Sequence, residues 1–193
     1  MSLRENKMIS LIVVLIATAI VGCKSVPEKA QPQESYAPYA ANSREAIAAA
    51  ELNRDVVLTV EFKPGQDGLS KTAKNQIQRA LADARKMGTI KNVEVAVWSD
   101  KEYPAIGKSL SKDQVRLAAK RAKNLRLLID KTEPSSDVNT FNMAKQPNSF
   151  QRWVNTRDAE VKSKLVTAGI VPRPKDNQIF DRTSTAIVFI EVR

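Results

Sequence analysis

The sequence predicts an α/β fold of the α+β sandwich kind, with helices packed on a mixed four-stranded sheet in the order βαβαβαβ. Three observations lead there. Four segments have the period of two or the apolar run of a strand. The longer segments between them carry apolar residues at helical spacing. Turn residues punctuate the boundaries, and helices between consecutive strands imply right-handed crossovers onto a shared sheet.

Taken in order, "DVVLTVEFK" places Val56, Leu58, Val60 and Phe62 on one face of a first strand. Pro64, Gly65 and Gly68 form the turn after it. Ser70 is a suitable N-cap for a helix whose stripe is Ala73, Ile77, Leu81 and Ala84, and Gly88 stops that helix. "VEVAVWS" alternates through Val93, Val95 and Val97 as a second strand, with Trp98 on the opposite face, and a loop containing Pro104 and Gly107 follows. Ser111 with Gln114 matches a capping box. It opens a helix with Val115, Ala118, Ala122, Leu125 and Ile129 on one face and Lys112, Arg116, Lys120 and Lys123 on another. "DVNTFNMA" reads as a weak third strand. Pro147, Asn148 and Ser149 precede a third helix, expected to be continuous, with Phe150, Val154, Val161 and Leu165 on one face, Trp153 near its start and Gly169 at its end. "TSTAIVFIEV" is a last, strongly apolar strand.

The N-terminus has a different character. Arg4 and Lys7 precede a 14-residue apolar run, Met8 to Val21. Spanning a bilayer takes about 20 apolar residues, so the run suits an export signal better than a transmembrane helix. It ends Ile20-Val21-Gly22-Cys23, which resembles the bacterial lipobox. That resemblance implies cleavage just before Cys23, lipid attachment to it, and acyl chains, palmitate among them, left in a membrane. The alternative is a buried cysteine in an uncleaved anchor helix. Lys24 rather than Asp follows the cysteine, which by the same resemblance implies sorting to the outer membrane. Residues 24–43 contain three prolines and no apolar period, and read as a tether of at most about 65 Å. The expected division is a signal over 1–22, lipidated Cys23 and tether over 23–43, and one periplasmic domain over 44–193, opened by a short Ala-rich helix.

Composition narrows the chemistry. Net charge is +10, and removing Arg4, Glu5 and Lys7 with the signal leaves about +9. In the periplasm this suits cell-wall carboxylates, lipopolysaccharide phosphates or an acidic protein partner, and nucleic acid is not an expected partner of an exported chain. The chain has no histidine and one cysteine. Histidine triads, histidine metal sites and internal disulfides are therefore excluded. No pair of carboxylates stands out for acid–base work. Neither an enzymatic activity nor a cofactor is expected.

"LTVEFKPGQDGLSKTAKNQI", "VEVAVWSD", "LAAKRAKNL", "FNMAKQP" and "TAIVFIEV" together resemble the OmpA-like C-terminal domain over residues 55 to 192. That family binds peptidoglycan from the outer membrane. The resemblance implies that Asp100, after the second strand, takes the ammonium of diaminopimelate in the stem peptide, and that Arg121 takes its carboxylate through paired hydrogen bonds. In the family this arginine lies in the first helical turn, close to the helix N-terminus. Here Ser111 as N-cap puts Gln114 at that position, and Arg121 follows seven residues later, about 10.5 Å along the helix. Either the helix starts near Leu117 or the grip is lost. The loop glycine expected after the aspartate is also absent, and the Asp100–Arg121 spacing is about six residues longer than the family's.

Two functions follow as expectations. The first is an outer-membrane lipoprotein that binds peptidoglycan and anchors the membrane, or an envelope assembly, to the wall. The second keeps the fold and loses the ligand: a structural lipoprotein of a type IV secretion or conjugation apparatus, with protein partners. The basic helix and the altered loop fit the second.

Overall fold

A computed structural model of the chain describes residues 40, 42–104, 110–171 and 182–193. The signal, Cys23, nearly all of the tether, and Gly107 in the loop after β2 lie outside the described residues. The elements are α1 (Arg44–Glu51), β1 (Val56–Glu61), α2 (Lys71–Met87), β2 (Ile90–Val97), α3 (Lys112–Thr132), β3 (Asp137–Asn142), α4 (Ser149–Trp153), α5 (Arg157–Thr167) and β4 (Thr185–Val192). All belong to one unit, Ser35–Arg193.

The four strands form one mixed sheet in the order β1-β4-β2-β3. β4 is antiparallel to both neighbours, with Val57 opposite Phe189 and Val95 opposite Val188, while β2 and β3 run parallel. This is the predicted α/β architecture. Parallel β2 and β3 are joined through α3, as a crossover requires.

Helices cover both faces of the sheet, and the period-two alternation of the strands decides which residues meet which helices. On the first face, Leu58, Val60, Val93, Val95, Val188 and Ile190 pack with Ile77 and Leu81 of α2 and Leu125 and Ile129 of α3. On the second, Val57, Ala96, Trp98, Phe141, Ile187 and Phe189 pack with Ala48 and Leu52 at α1 and Val161 and Leu165 of α5. The continuous run Ala186–Ile190 follows from this, since a strand buried on both faces has no polar side. α1 is therefore part of the core and not only a lead-in. Its small alanines let it lie close to the sheet.

Caps account for the helix starts. Ser43, Ser70 and Ser111 each accept a hydrogen bond from the backbone N–H three residues on. The predicted third helix is instead two. Asn155 adopts a left-handed φ of 49°, and Thr156 caps α5 through the Ala159 N–H. The break resets the helical phase. Val161 and Leu165 stay buried, while Phe150, Trp153 and Val154 are exposed.

Gly88 ends α2 for a steric reason. Its backbone is extended, and a Cβ would run into the carbonyl oxygen of Arg193. Thr89 and Arg193 exchange backbone hydrogen bonds of 2.7 and 2.9 Å beside it. Gly88→Ala is expected to destabilise the domain by about 1–3 kcal/mol through overpacking. Urea unfolding of the variant beside the parent measures this.

Candidate functional site

β2 ends at Val97, and Trp98 continues its ladder by donating to Thr185 O at 2.9 Å. Ser99 O then accepts from the Ser184 N–H at 2.6 Å, just before β4. This pins the loop that carries Asp100 against the start of the central strand. The Asp100 N–H donates to Gln114 Oε1 at 3.1 Å. Gln114 thus reaches outward from α3. Ser111 Oγ accepts from the Gln114 N–H at 3.4 Å. The expected capping box is present only in that half, because the glutamine side chain serves the Asp100 loop instead.

α3 begins at Lys112, not near Leu117. Arg121 still reaches Asp100, with Nη2 at 2.6 Å from Oδ1. Helical side chains lean toward the helix N-terminus, and the long arginine covers the two turns between them. The structure thus brings Asp100 and Arg121 together.

The arginine is enclosed by the protein, while the Asp100 side chain stays 20% exposed. Arg121 is 0% exposed. Its Nε donates to Gln66 O at 2.8 Å, Nη1 to Trp98 O at 3.1 Å, and Nη2 to Lys63 O at 3.3 Å as well as to Asp100. The Phe62 ring lies 4.8 Å below the guanidinium carbon, a cation–π contact. A guanidinium has five N–H donors, and four of them are occupied by the chain itself. Asp100 accepts from Ser184 Oγ at 2.6 Å on Oδ1 and from the Gly65 N–H at 2.6 Å on Oδ2. Gly65 has φ of 72°, the left-handed conformation that aims this N–H at the carboxylate. Asn124, one turn beyond Arg121, holds the same turn through Asp67 O at 2.9 Å. The cluster therefore ties the 63–67 turn, the ends of β2 and β4, and α3 to one another.

Partial burial pushes the Asp100 carboxyl up. The hydrogen bonds from Ser184, Arg121 and Gly65, with the charge of Arg121, outweigh it and hold the group below its ordinary value.

Other charged clusters were not evident from spacing. Glu94, fully buried on β2, is held by Arg54 at 3.1 Å and Arg157 at 2.6 Å. Lys162 is 3% exposed and bonds Asp158 and the Lys145 carbonyl. Burial pushes its ammonium pKa down, against the opposing pull of Asp158. Glu94 alternates with Val93 and Val95, so the spacing puts it on the face away from the valine stripe; that face is also covered by helices, and two arginines from distant segments make the buried charge tolerable. Lys112, Arg116, Lys120 and Lys123 are all exposed. Trp98 is 1% exposed and Trp153 is 81% exposed. Among the described residues, no cluster of three or more metal-ligating side chains could hold a metal ion, and no helix is long and apolar enough to cross a membrane.

No protein-family model matches the chain, and no curated protein matches it with significant similarity.

Arg121→Ala leaves a carboxylate and three backbone carbonyls without their donor, and is expected to cost about 3–5 kcal/mol in chemical denaturation. Asp100 tests the pH dependence. A carboxyl lowered in the folded state contributes stability that is fully present above its unfolded pKa and is lost as pH falls through its folded pKa. Asp100→Asn should therefore be clearly less stable than the parent at pH 7. The difference should shrink below about pH 4, read from urea curves at successive pH values.

Proposed function

We propose that the chain is an outer-membrane lipoprotein, lipidated at Cys23, whose OmpA-like domain is a structural, protein-binding part of an envelope assembly. A type IV secretion or conjugation apparatus is the kind of assembly meant. The observation that carries this reading is the Arg121 guanidinium. It is 0% exposed and donates four hydrogen bonds within the chain. A stem-peptide carboxylate would have to displace backbone carbonyls and a 2.6 Å ion pair to reach it. Gln114, at the position the OmpA-like pattern gives to arginine, carries no charge to replace it.

The partner's chemistry follows from the exposed cations. Lys112, Arg116, Lys120 and Lys123 line the solvent side of α3. Their ion pairs are long and exposed: Arg116–Asp113 is 3.6 Å and Lys120–Asp67 is 3.9 Å. Such pairs contribute little and yield readily to an acidic partner. The binding role, as opposed to a catalytic one, is supported by a chain without histidine.

The second reading, peptidoglycan binding through diaminopimelate, is favoured by the convergence of Asp100 and Arg121 itself. Co-sedimentation of the mature chain from Lys24 with purified sacculi separates the two. Under the first reading the parent pellets weakly, 0.5 M salt abolishes pelleting, and Asp100→Asn does not alter it. Salt-resistant pelleting that Asp100→Asn removes would establish the second reading in its place.

A further inference from the structure

α4 carries an apolar patch that no described part of the domain covers. Phe150 is 66% exposed, Trp153 81% and Val154 43%. The two rings lie side by side, with centroids 6.0 Å apart. Neither residue belongs to a core cluster. Leaving large aromatic rings in water is unfavourable relative to burial, so a contiguous pair points to something that covers it.

We propose that this patch docks the domain onto an anionic phospholipid surface, an inference that rests on the Cys23 anchor of the proposed function. Three observations select that occupant. The first is residue type: tryptophan and phenylalanine beside cations are the side chains that settle at the level of lipid headgroups. The second is charge. Arg152 lies between the two rings in sequence, and exposed Lys145 precedes α4. The nearby carboxylate of Asp158 is neutralised by Lys162 at 2.8 Å. The third is the length of chain outside the described structure. Cys23 lies about 20 residues before α1. α1 packs on the second face of the sheet together with α5, the helix that follows α4 directly. The rings thus sit on the helix next to α5, which itself packs against α1, the helix that follows the tether. The basic face of α3 lies over the opposite side of the sheet, free for a periplasmic partner. A weak patch suffices, because the anchor holds the domain within tens of ångströms of the membrane and raises its effective concentration there.

Vesicle flotation tests this with residues 24–193, which hold every described helix and strand but lack Cys23. The probes are phosphatidylglycerol–phosphatidylethanolamine vesicles and pure phosphatidylcholine vesicles. The parent should float with the anionic vesicles. Its tryptophan emission should shift to the blue, a change that Trp153→Ser removes because buried Trp98 remains. Phe150→Ser with Trp153→Ser should lower binding by at least about tenfold, with the circular dichroism unchanged; Trp153→Ser alone, at an 81% exposed position, should give a smaller loss. Absence of flotation, or equal flotation of parent and variants, would overturn the proposal. Self-association that depends on the rings, without vesicle binding, would assign the patch to a second copy and also overturn it. Incorporation of labelled palmitate at Cys23 is read separately, so failure of the anchor and failure of the patch are distinguishable.

Discussion

A guanidinium with no access to water must have its donors satisfied by the protein, and the domain is organised around meeting that requirement at Arg121. The turn at 63–67 offers two carbonyls, β2 offers the Trp98 carbonyl, and Asp100 supplies the countercharge. Asp100 is positioned in turn by Gly65, Ser184 and Gln114. The 63–67 turn, the end of β2 and the residue before β4 thus converge on this cluster at α3. Such a cluster leaves few alternative arrangements at this end of the sheet, because any shift strands a charge in the interior.

The same economy governs the two faces of the sheet. β4 runs through the middle between β1 and β2, and its residues Ala186–Ile190 are buried on both sides. α2 and α3 cover one face, α1 and α5 the other. The charge admitted to the centre of β2, Glu94, is matched by two arginines. What remains outside is divided by side: an exposed row of cations on α3 over one face, and the aromatic pair of α4 beside the helices of the other.

Much of this was legible in the residues. Period-two alternation placed β1 and β2, the apolar run placed β4, and Ser70 and Ser111 occupy the cap positions expected of them, whereas Ser43, read as the end of the tether, is the cap of α1. Arg121 was singled out only through the resemblance; on so basic a helix a lone arginine reads as a solvated charge, and its burial beside Ala118, Ala122 and Leu125 shows only in the structure. Less accessible were features decided by tertiary partners. Phe150, Val154, Val161 and Leu165 have a spacing that fits one helix, and only the left-handed Asn155 and the Thr156 cap break the phase. Gln114 satisfies the local pattern of a capping box, yet a distant backbone N–H claims its side chain. α1 is too small and alanine-rich to announce a core face. The convergence of Asp100 with Arg121 depends on a side chain spanning two helical turns, which spacing alone does not specify.

The central claim is that the Arg121 guanidinium is committed to the fold and closed to ligands. Its Nε–H resonance, observed by NMR in arginine-labelled protein, tests this most directly. The account predicts a dispersed resonance that exchanges slowly with water and stays in place as meso-diaminopimelate is added to millimolar concentration. A resonance that exchanges freely, or that moves in a saturable way with the ligand, would contradict it.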